Sequence, residues 1–248
     1  NILLGSNMEP PWSRLIDTCP STNDLARSLA EKGAPQGTWV SARKQWKGRG
    51  RWGREWISEE GNLFLSIVVR VENRRLWSWI PLASALGLAT GMRTLFPDLP
   101  VCVKWPNDLW GKGAKLGGLL CEGVERGAES FLTVGVGLNC VSSPRGLPYA
   151  ATSLQEELGL PIESLNADFI RPRAIDGLLG ALDQLKASGP QFVASTYEKL
   201  AAFLPGQKIS WNGSEGWILG LVSSGELRVQ LSNGVETRLF SEEIQKKN

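Results

Sequence analysis

The chain has 248 residues, of which 42% are hydrophobic and 21% are charged; this composition is typical of a folded protein with a substantial core and excludes a disordered tail. The 27 basic and 25 acidic residues leave a net charge of +2, so the overall charge does not predict a nucleic-acid partner. Because the chain contains no histidine, Ser-His-Asp and Cys-His catalysis and HExxH zinc sites are excluded within it.

The sequence predicts neither a membrane span nor a secretory signal. Its most apolar stretch, residues 79–92, is interrupted by proline and hydroxyl residues and is followed by Arg93, so it falls short of the roughly 18 apolar residues that a span needs. The first residues lack the basic segment and apolar run of a signal peptide. We expect a cytoplasmic protein with reduced thiols and no zinc site, because the four cysteines are widely separated: Cys19, Cys102, Cys121 and Cys140.

The first part of the chain predicts a mixture of helices and strands. A helix begins near Ser21, whose hydroxyl group can cap it, with Asp24 three residues later as in a capping box. Longer apolar segments predict helices at 79–96 and 168–188. Short runs of β-forming residues predict strands at 38–42, 62–71, 101–105, 115–124 and 130–138, the last two joined by a hairpin turn at 125–129.

The C-terminal part has a different pattern. Turn dipeptides such as Asn212-Gly213 and Asn233-Gly234 separate short β-forming runs. These runs predict strands at 207–211, 215–221, 226–231 and 235–240. We therefore predict a catalytic domain of residues 1–203, a small β domain of residues 204–248, and an α+β fold overall.

Residues 43–56 form the most basic segment of the chain. The glycines in it allow tight turns and a close approach of the backbone to a ligand, and arginine side chains match carboxylate and phosphate oxygens. We predict a mobile anion-binding loop, in which three tryptophans either stack on nucleic-acid bases or anchor the loop to the core. Six basic residues lie between positions 43 and 54 with no acidic residue among them: Arg43, Lys44, Lys47, Arg49, Arg51 and Arg54.

The glycines of this loop match two nucleotide-binding patterns poorly. Gly48, Gly50 and Gly53 fit the spacing GxGxxG, but Gly61-Asn62 interrupts the helix that a dinucleotide-binding fingerprint should open. The pattern GxxxxGK[ST] is absent from the chain. Neither a Rossmann site nor a Walker P-loop is therefore predicted.

A second polar cluster follows the strand predicted at 101–105. Residues 104–108 read Lys-Trp-Pro-Asn-Asp, and residues 115–118 read Lys-Leu-Gly-Gly. Proline ends regular strand pairing, and the glycines leave space close to the backbone, so these segments predict a cleft. Asp108 alone is also typical of a turn, and Gly117-Gly118 alone of a packing feature.

Five segments together resemble the biotin protein ligases, also called biotin-[acetyl-CoA-carboxylase] ligases. The order and approximate spacing of these segments match that family over essentially the whole chain. The resemblance implies a class II synthetase-like catalytic core with a small C-terminal SH3-like β-barrel. The segments are Ser21-Thr22-Asn23, the glycine and arginine segment 48–56, the segment 104–108, the segment 115–118, and Gly135-Val136-Gly137-Leu138-Asn139.

The resemblance also implies the roles of individual residues. A biotin pocket would be lined by Ser21, Thr22, Asn23, Gln45, Arg49, Gly50, Arg51, Lys115 and Gly118. An ATP site would contain Arg51, Arg54, Trp56, Lys104, Asn107 and Asn139. The catalytic residues would be Arg51 and Lys115, with Asp108 as the candidate base. Trp52 stands where some family members have a further arginine.

The implied reaction has two steps. Biotin reacts with ATP and Mg²⁺ to give biotinyl-5′-AMP, and biotin then passes to a lysine of a biotin carboxyl carrier protein or domain. A carboxylate is already ionised at pH 7, so the first step needs no histidine base. The family resemblance is compatible with a homodimer. Because about twenty residues precede Ser21, we expect no DNA binding if the chain is complete. The sequence predicts no metal ligands of its own. A lipoate protein ligase and a non-catalytic nucleic-acid-binding module remain alternatives.

Overall fold

A computed structural model describes residues 12–125 and 130–247. The N-terminal segment considered for a signal peptide and most of the predicted hairpin turn at 125–129 lie outside the described residues. The described part of the chain forms two β-sheets and five α-helices.

The larger sheet is mixed and has seven strands. Their bounds are β1 Arg14–Cys19, β2 Trp39–Gln45, β3 Leu63–Val69, β4 Cys102–Lys104, β5 Asp108–Trp110, β6 Lys115–Val124 and β7 Phe131–Leu138. In the sheet they are ordered β1-β2-β3-β7-β6-β5-β4. β1 and β2 are parallel, and all other neighbouring pairs are antiparallel.

Helices cover both faces of this sheet. They are α1 Thr22–Glu31, α2 Ile80–Leu95, α3 Leu154–Leu158, α4 Ala167–Ser188 and α5 Pro190–Leu200. Val68 of β3 packs with α1, whereas Leu65 and Ile67 of the same strand belong to the core formed with α2 and α4. Successive strand residues point to opposite faces, which explains why β3 is a continuous apolar run. None of the described helices is long and apolar enough to cross a membrane.

The smaller sheet contains the C-terminal strands and packs against the first domain. Its strands are β8 Lys208–Trp211, β9 Ser214–Leu221, β10 Leu227–Leu231, β11 Glu236–Leu239 and β12 Gln245–Lys246, antiparallel in the order β11-β10-β9-β8-β12. Two tryptophans of the first domain donate hydrogen bonds to the β9–β10 turn. Trp79 Nε1 lies 3.2 Å from Ser223 O, and Trp105 Nε1 lies 3.0 Å from Gly225 O.

The predicted α+β class, with a separate small β-sheet, is confirmed by this architecture. The boundary between residues 203 and 204 stays a prediction; the second sheet begins at Lys208. The pattern missed β1, β5, α3, α5 and β12. The predicted cap of α1 is wrong in detail, because the Ser21 side chain makes no cap hydrogen bond and the Asp24 carboxylate binds Arg49 instead.

Candidate active site

The residues that the sequence predicts for substrate binding converge on one cleft. The cleft is open to solvent and has a volume of about 840 Å³, which includes the solvent space at its mouth. Its walls come from the start of α1, the end of β2, the basic loop, and the facing strands β5, β6 and β7. Of the predicted residues, Asn139 alone is outside the cleft lining, which includes Ser21, Thr22, Asn23, Gln45, Arg49, Gly50, Arg51, Arg54, Trp56, Lys104, Asn107, Asp108, Lys115 and Gly118.

One end of the cleft is a closed network of neutral polar groups. The Thr22 backbone N–H donates to Gln45 Oε1 at 2.8 Å, which ties the start of α1 to the end of β2. The Ser66 hydroxyl donates to Asn23 Oδ1 at 2.7 Å and lies 2.8 Å from Thr22 Oγ1. Thr22, Asn23 and Ser66 are all buried. A network with its partners satisfied holds these groups in one orientation.

Two glycines of β7 make room for this arrangement. A Cβ atom on Gly135 would lie 2.5 Å from Asn23 Oδ1, and one on Gly137 would lie 2.3 Å from the Trp56 ring. Both distances are too short for any side chain. The glycines of the segment 135–139 therefore allow the first polar turn of α1 and the end of the basic loop to pack directly on the sheet.

The basic loop does not act as one unit. Arg49, Arg51 and Arg54 line the cleft, whereas Arg43 on β2 lies 3.5 Å from Asp17 and 3.8 Å from Asp168. Lys44 and Lys47 do not line the cleft either. The predicted anion-binding loop therefore brings only its second half, from Arg49 to Arg54, to the cleft, and Arg43 and Lys44 belong to β2 instead.

Its tryptophans also differ in their environments. Trp56 packs on Gly137 and anchors the end of the loop. Trp46 and Trp52 are exposed, Trp52 at 71% of its surface and with a left-handed backbone at φ 61°. Of the two alternatives, anchoring to the core therefore applies to Trp56, whereas the exposed Trp46 and Trp52 do not hold the loop to the core.

Acidic residues from distant parts of the chain neutralise much of the loop. Arg49 forms a two-pronged ion pair with Asp24 of α1, and Arg54 pairs with Glu243 of the C-terminal domain. Tertiary contacts thus supply counter-charges for these two arginines, although the sequence around them is basic.

The guanidinium group of Arg51 can still bind an anion. Its Nη1 donates to Asn107 Oδ1 at 2.8 Å, but its Nη2 is buried without any hydrogen-bond partner among the described residues. Burial lowers the pKa of Arg51 below its ordinary value. Burying a guanidinium nitrogen without an acceptor costs free energy. An anion bound at this point of the cleft would supply that acceptor.

Two lysines complete the cationic end of the cleft. Lys115 Nζ lies 2.9 Å from Asp108 Oδ1, and the two side chains are only 18% and 16% exposed. Lys104 is buried, and its ammonium lies 4.8 Å from the centre of the Trp110 ring. Burial lowers the pKa of Lys104. Asp108 belongs to β5 and pairs with a cation, so the simple turn interpretation of this residue is wrong.

Comparison with known proteins places this cleft in a family. Residues 15–139 match the model of the biotin/lipoate A/B protein ligase family. The chain belongs to that family. It is 33% identical to the biotin-[acetyl-CoA-carboxylase] ligase of Mycobacterium tuberculosis over 191 residues, which cover 74% of this chain and 69% of the relative. The corresponding Paracoccus denitrificans enzyme is 37% identical over 132 residues, 50% of this chain and 52% of that protein.

Solved structures of biotin protein ligases share the fold. The Aquifex aeolicus enzyme in complex with biotin and ATP superposes with a TM-score of 0.77 at 25% identity, covering 95% of this chain and 98% of that one. The Leishmania major enzyme in complex with biotinyl-5-AMP gives a TM-score of 0.62 at 25% identity, with 93% and 99% covered.

Beside this ligase-family cleft lies a smaller pocket of about 320 Å³ that contains the remaining predicted residue, Asn139. The pocket shares Trp56, Lys115 and Tyr149 with the main cleft. Asn139 is buried, and its Nδ2 donates to Thr152 O at 2.9 Å. This bond fixes the Asn139 amide within the wall of the smaller pocket.

Sequence reasoning missed several residues that line the cleft or contact its lining. Ser66 is the single polar residue in the apolar strand β3, a signal that could have been noticed. Glu122, Tyr149, Glu242 and Glu243 had no such signal, because only the tertiary fold brings them to the cleft.

The residues present do not form a cage for Mg²⁺. Among the described residues there is no group of three or more His, Cys, Asp or Glu side chains that could hold a metal. Asp108 is paired with Lys115 and Glu243 with Arg54. Since Mg²⁺ requires several oxygen ligands, we assign no protein site and no chemical step to it.

Proposed function

We propose that this protein is a biotin protein ligase. It activates biotin with ATP to biotinyl-5′-AMP and transfers biotin to a lysine of a biotin carboxyl carrier protein or domain. The observation that carries this proposal is the division of the cleft, which has a neutral polar network at Thr22, Asn23 and Gln45 and clustered cations at Arg51, Lys104 and Lys115. The family membership and the similarity to a structure holding biotin and ATP support it.

The two ends of the cleft suit the two ends of the vitamin. Hydroxyl and amide groups match the uncharged polar ring system of biotin, and the cations match its carboxylate and the phosphates of ATP. The aromatic side chains of Trp56 and Tyr149 and the amide of Asn139 make the smaller pocket suitable for the base of ATP. These roles extend the predicted biotin and ATP sites to Tyr149.

In the first step a biotin carboxylate oxygen attacks the α-phosphorus of ATP. A carboxylate oxygen–phosphorus bond forms, the bond to the β-phosphate oxygen breaks, and pyrophosphate leaves. Two unit anions about 4 Å apart at an effective dielectric constant near 20 repel by roughly 4 kcal/mol. Arg51 and Lys115 offset repulsion of this order by holding positive charge where the anions meet.

In the second step a lysine amine of the acceptor attacks the anhydride carbonyl carbon. An amide bond forms, AMP leaves, and the amine gives up a proton. Asp108 is the proposed acceptor of that proton, because its carboxylate lines the cleft beside Lys115.

The proposal also covers the metal ion, the acceptor protein and the cellular location. Mg²⁺ would enter on the phosphate oxygens of ATP, because the described residues offer no cage. The acceptor would be the carrier domain of an acetyl-CoA carboxylase, by similarity to the named relatives. The four cysteines are free thiols, which is compatible with the predicted cytoplasmic location. Homodimerisation and the absence of DNA binding stay predictions.

A direct experiment is to incubate the protein with ATP, Mg²⁺ and either biotin or lipoate and to detect the adenylate by mass spectrometry. We expect biotinyl-5′-AMP and pyrophosphate in the incubation with biotin and no adenylate in the incubation with lipoate. Adenylate formed only with lipoate would instead establish a lipoate ligase. Salt-dependent oligonucleotide binding without any ATP turnover would favour the nucleic-acid-binding alternative.

A further inference from the structure

Two carboxylates outside the basic loop hold the side chain of Arg49. The guanidinium donates to both oxygens of Asp24 at 2.7 and 2.8 Å, and its Nη2 lies 3.3 and 3.4 Å from the two oxygens of Glu122. We call Arg49, Asp24 and Glu122 the Arg49 clamp. The ion pair lowers the pKa of Asp24 and raises that of Arg49, so both remain charged at neutral pH.

The charge of the clamp argues against Arg49 as a receptor for substrate anions. Two carboxylates face one guanidinium, which leaves a surplus negative charge next to it. An incoming carboxylate or phosphate would have to displace charge-assisted bonds and would meet that negative charge. Within residues 12–125 and 130–247, Arg51 has a guanidinium nitrogen with no hydrogen-bond partner, and it is the better anion ligand. Arg49 is thus better suited to fastening the loop.

The clamp is also connected to the polar end of the cleft. Glu122 Oε2 accepts a hydrogen bond from Asn23 Nδ2 at 2.7 Å. The Asn23 side chain makes two further hydrogen bonds. Its Nδ2 donates to Leu120 O at 3.2 Å, and its Oδ1 accepts from the Ser66 hydroxyl at 2.7 Å. Asp24 is the next residue of α1. The loop is therefore tied to the same turn of helix that carries the polar network.

We propose that Asp24 and Glu122 are positioning residues that fasten the basic loop through Arg49 and thereby slow the escape of the acyl adenylate. They act on Arg49 and need not touch the substrate. This inference rests on the proposed function, because it concerns the intermediate of that reaction. The two arginines of the loop then have different roles: Arg51 binds the anion, and Arg49 keeps the loop in place.

The test measures how fast the adenylate leaves. Protein loaded with labelled biotin and ATP without acceptor is freed of excess label by gel filtration, and the label that remains bound is followed with time. Asp24→Asn keeps the size of the side chain and removes its charge, and we expect release about tenfold faster. Arg49→Gln should show a similar increase.

A double-mutant cycle makes the test specific. Because Asp24→Asn and Arg49→Gln remove the same interaction, the double variant should release adenylate no faster than the faster single variant. Glu122→Gln keeps an acceptor for Asn23 and should show a smaller increase. Multiplied effects in the double variant, or wild-type release from the single variants, would overturn the proposal.

A matched control is available on α4. Asp176→Asn removes a carboxylate from another exposed arginine pair, with Arg173 at 3.3 Å, and should release adenylate at the wild-type rate. Raising the salt from about 0.1 to about 1 M should speed release in the wild type more than in Asp24→Asn, since screening weakens the ion pair that only the wild type has. Equal salt effects would contradict the clamp.

Failure of the proposed function can be told apart from failure of the clamp. If the wild type forms no adenylate, the function is wrong, and the clamp is then measured by limited trypsin digestion of the substrate-free protein. We expect cleavage within residues 47–54 to be faster in Asp24→Asn than in Asp176→Asn, with melting temperatures recorded for both. Equal cleavage rates in the two variants would overturn the clamp, whichever reaction the protein catalyses.

Discussion

Arg51 and Lys104 are cations in the cleft whose side chains lose hydration by burial. Arg51 Nη2 has no partner among the described residues, and Lys104 faces aromatic rings of Trp110 and Phe203. In both cases burial lowers the pKa, since the charged form is the one that loses hydration. Such sites cost stability until an anion binds, which is a common property of functional sites.

Replacing Arg51 should weaken retention of the intermediate. We expect Arg51→Ala to raise biotin-dependent AMP release without acceptor by about tenfold or more, because a charge-assisted contact to the adenylate phosphate is lost. The measurement is AMP produced per enzyme over time, with Arg51→Lys as the variant that keeps the charge. Unchanged retention in Arg51→Ala would remove Arg51 from the anion site.

Replacing Lys104 should stabilise the protein while harming adenylate formation. Lys104→Met keeps the length of the side chain and removes an ammonium whose burial lowers its pKa. We therefore expect the free energy of unfolding to rise by about 1 kcal/mol at pH 7. Thermal and urea denaturation measure this change.

The pH dependence of that gain follows from the lowered pKa of Lys104. Between this pKa and 10.5, the ordinary value, the unfolded chain binds more protons than the folded protein, so wild-type stability rises with pH. The advantage of Lys104→Met should therefore be complete below the lowered pKa and should vanish towards pH 10.5. A constant or growing advantage would show that the ammonium is not the cause.

Among the elements, the crossing of α2 and α4 shows how glycine controls packing. A Cβ atom on Gly177 would lie 2.3 Å from the backbone oxygen of Gly87, and one on Gly87 would meet the oxygen of Gly177 at the same distance. The two helices therefore touch backbone to backbone. The sequence pattern predicted both helices, but it gave no sign that these particular glycines meet.

Two substitutions in α4 separate this packing effect from helix propensity. Gly177→Ala should destabilise the protein by about 2 kcal/mol, because the helices must move apart. Gly180→Ala, three residues along the same helix, would place its Cβ in open space and should stabilise the protein by about 0.5 kcal/mol or more. Denaturant unfolding of both variants compares them. Equal effects would mean that the close helix contact is absent.

At the scale of the whole molecule, the C-terminal domain helps to build the active-site cleft. Glu242 and Glu243 line it, and Glu243 pairs with Arg54 of the basic loop. The indole N–H groups of Trp79 and Trp105 hold the β9–β10 turn against the first domain. The packing of the smaller sheet against the larger one thus determines which charges surround the loop.

The Trp79 contact can be tested without touching the cleft. Trp79→Phe removes the donor to Ser223 O, and we expect a loss of about 1 kcal/mol or more with faster hydrogen exchange in β9 and β10. Trp77→Phe is the matched control, because its N–H bonds to Val71 O within the same domain. Exchange in β9 and β10 should stay at the wild-type rate in Trp77→Phe. Equal acceleration in both variants would argue against a domain tie at Trp79.

The amino-acid sequence by itself determined the family, the α+β class and the segments that line the cleft. These follow from local order, since hydrophobic runs, turn dipeptides and short segments at fixed spacing are properties of neighbouring residues. The roles of the individual site residues stay predictions. Short elements such as β5 and β12 could not be predicted, because pairing with distant strands stabilises them more than their own two or three residues do.

Only the tertiary structure decided how the charges are distributed. In sequence the loop is uniformly basic, but in space Arg49 meets Asp24 and Glu122, and Arg54 meets Glu243. In the part of the chain that the structure describes, Arg51 alone among these three arginines keeps a buried nitrogen without a hydrogen-bond partner. Electrostatic interactions act through space over a few ångströms, so residues far apart in the chain determine which cation is left to bind a substrate.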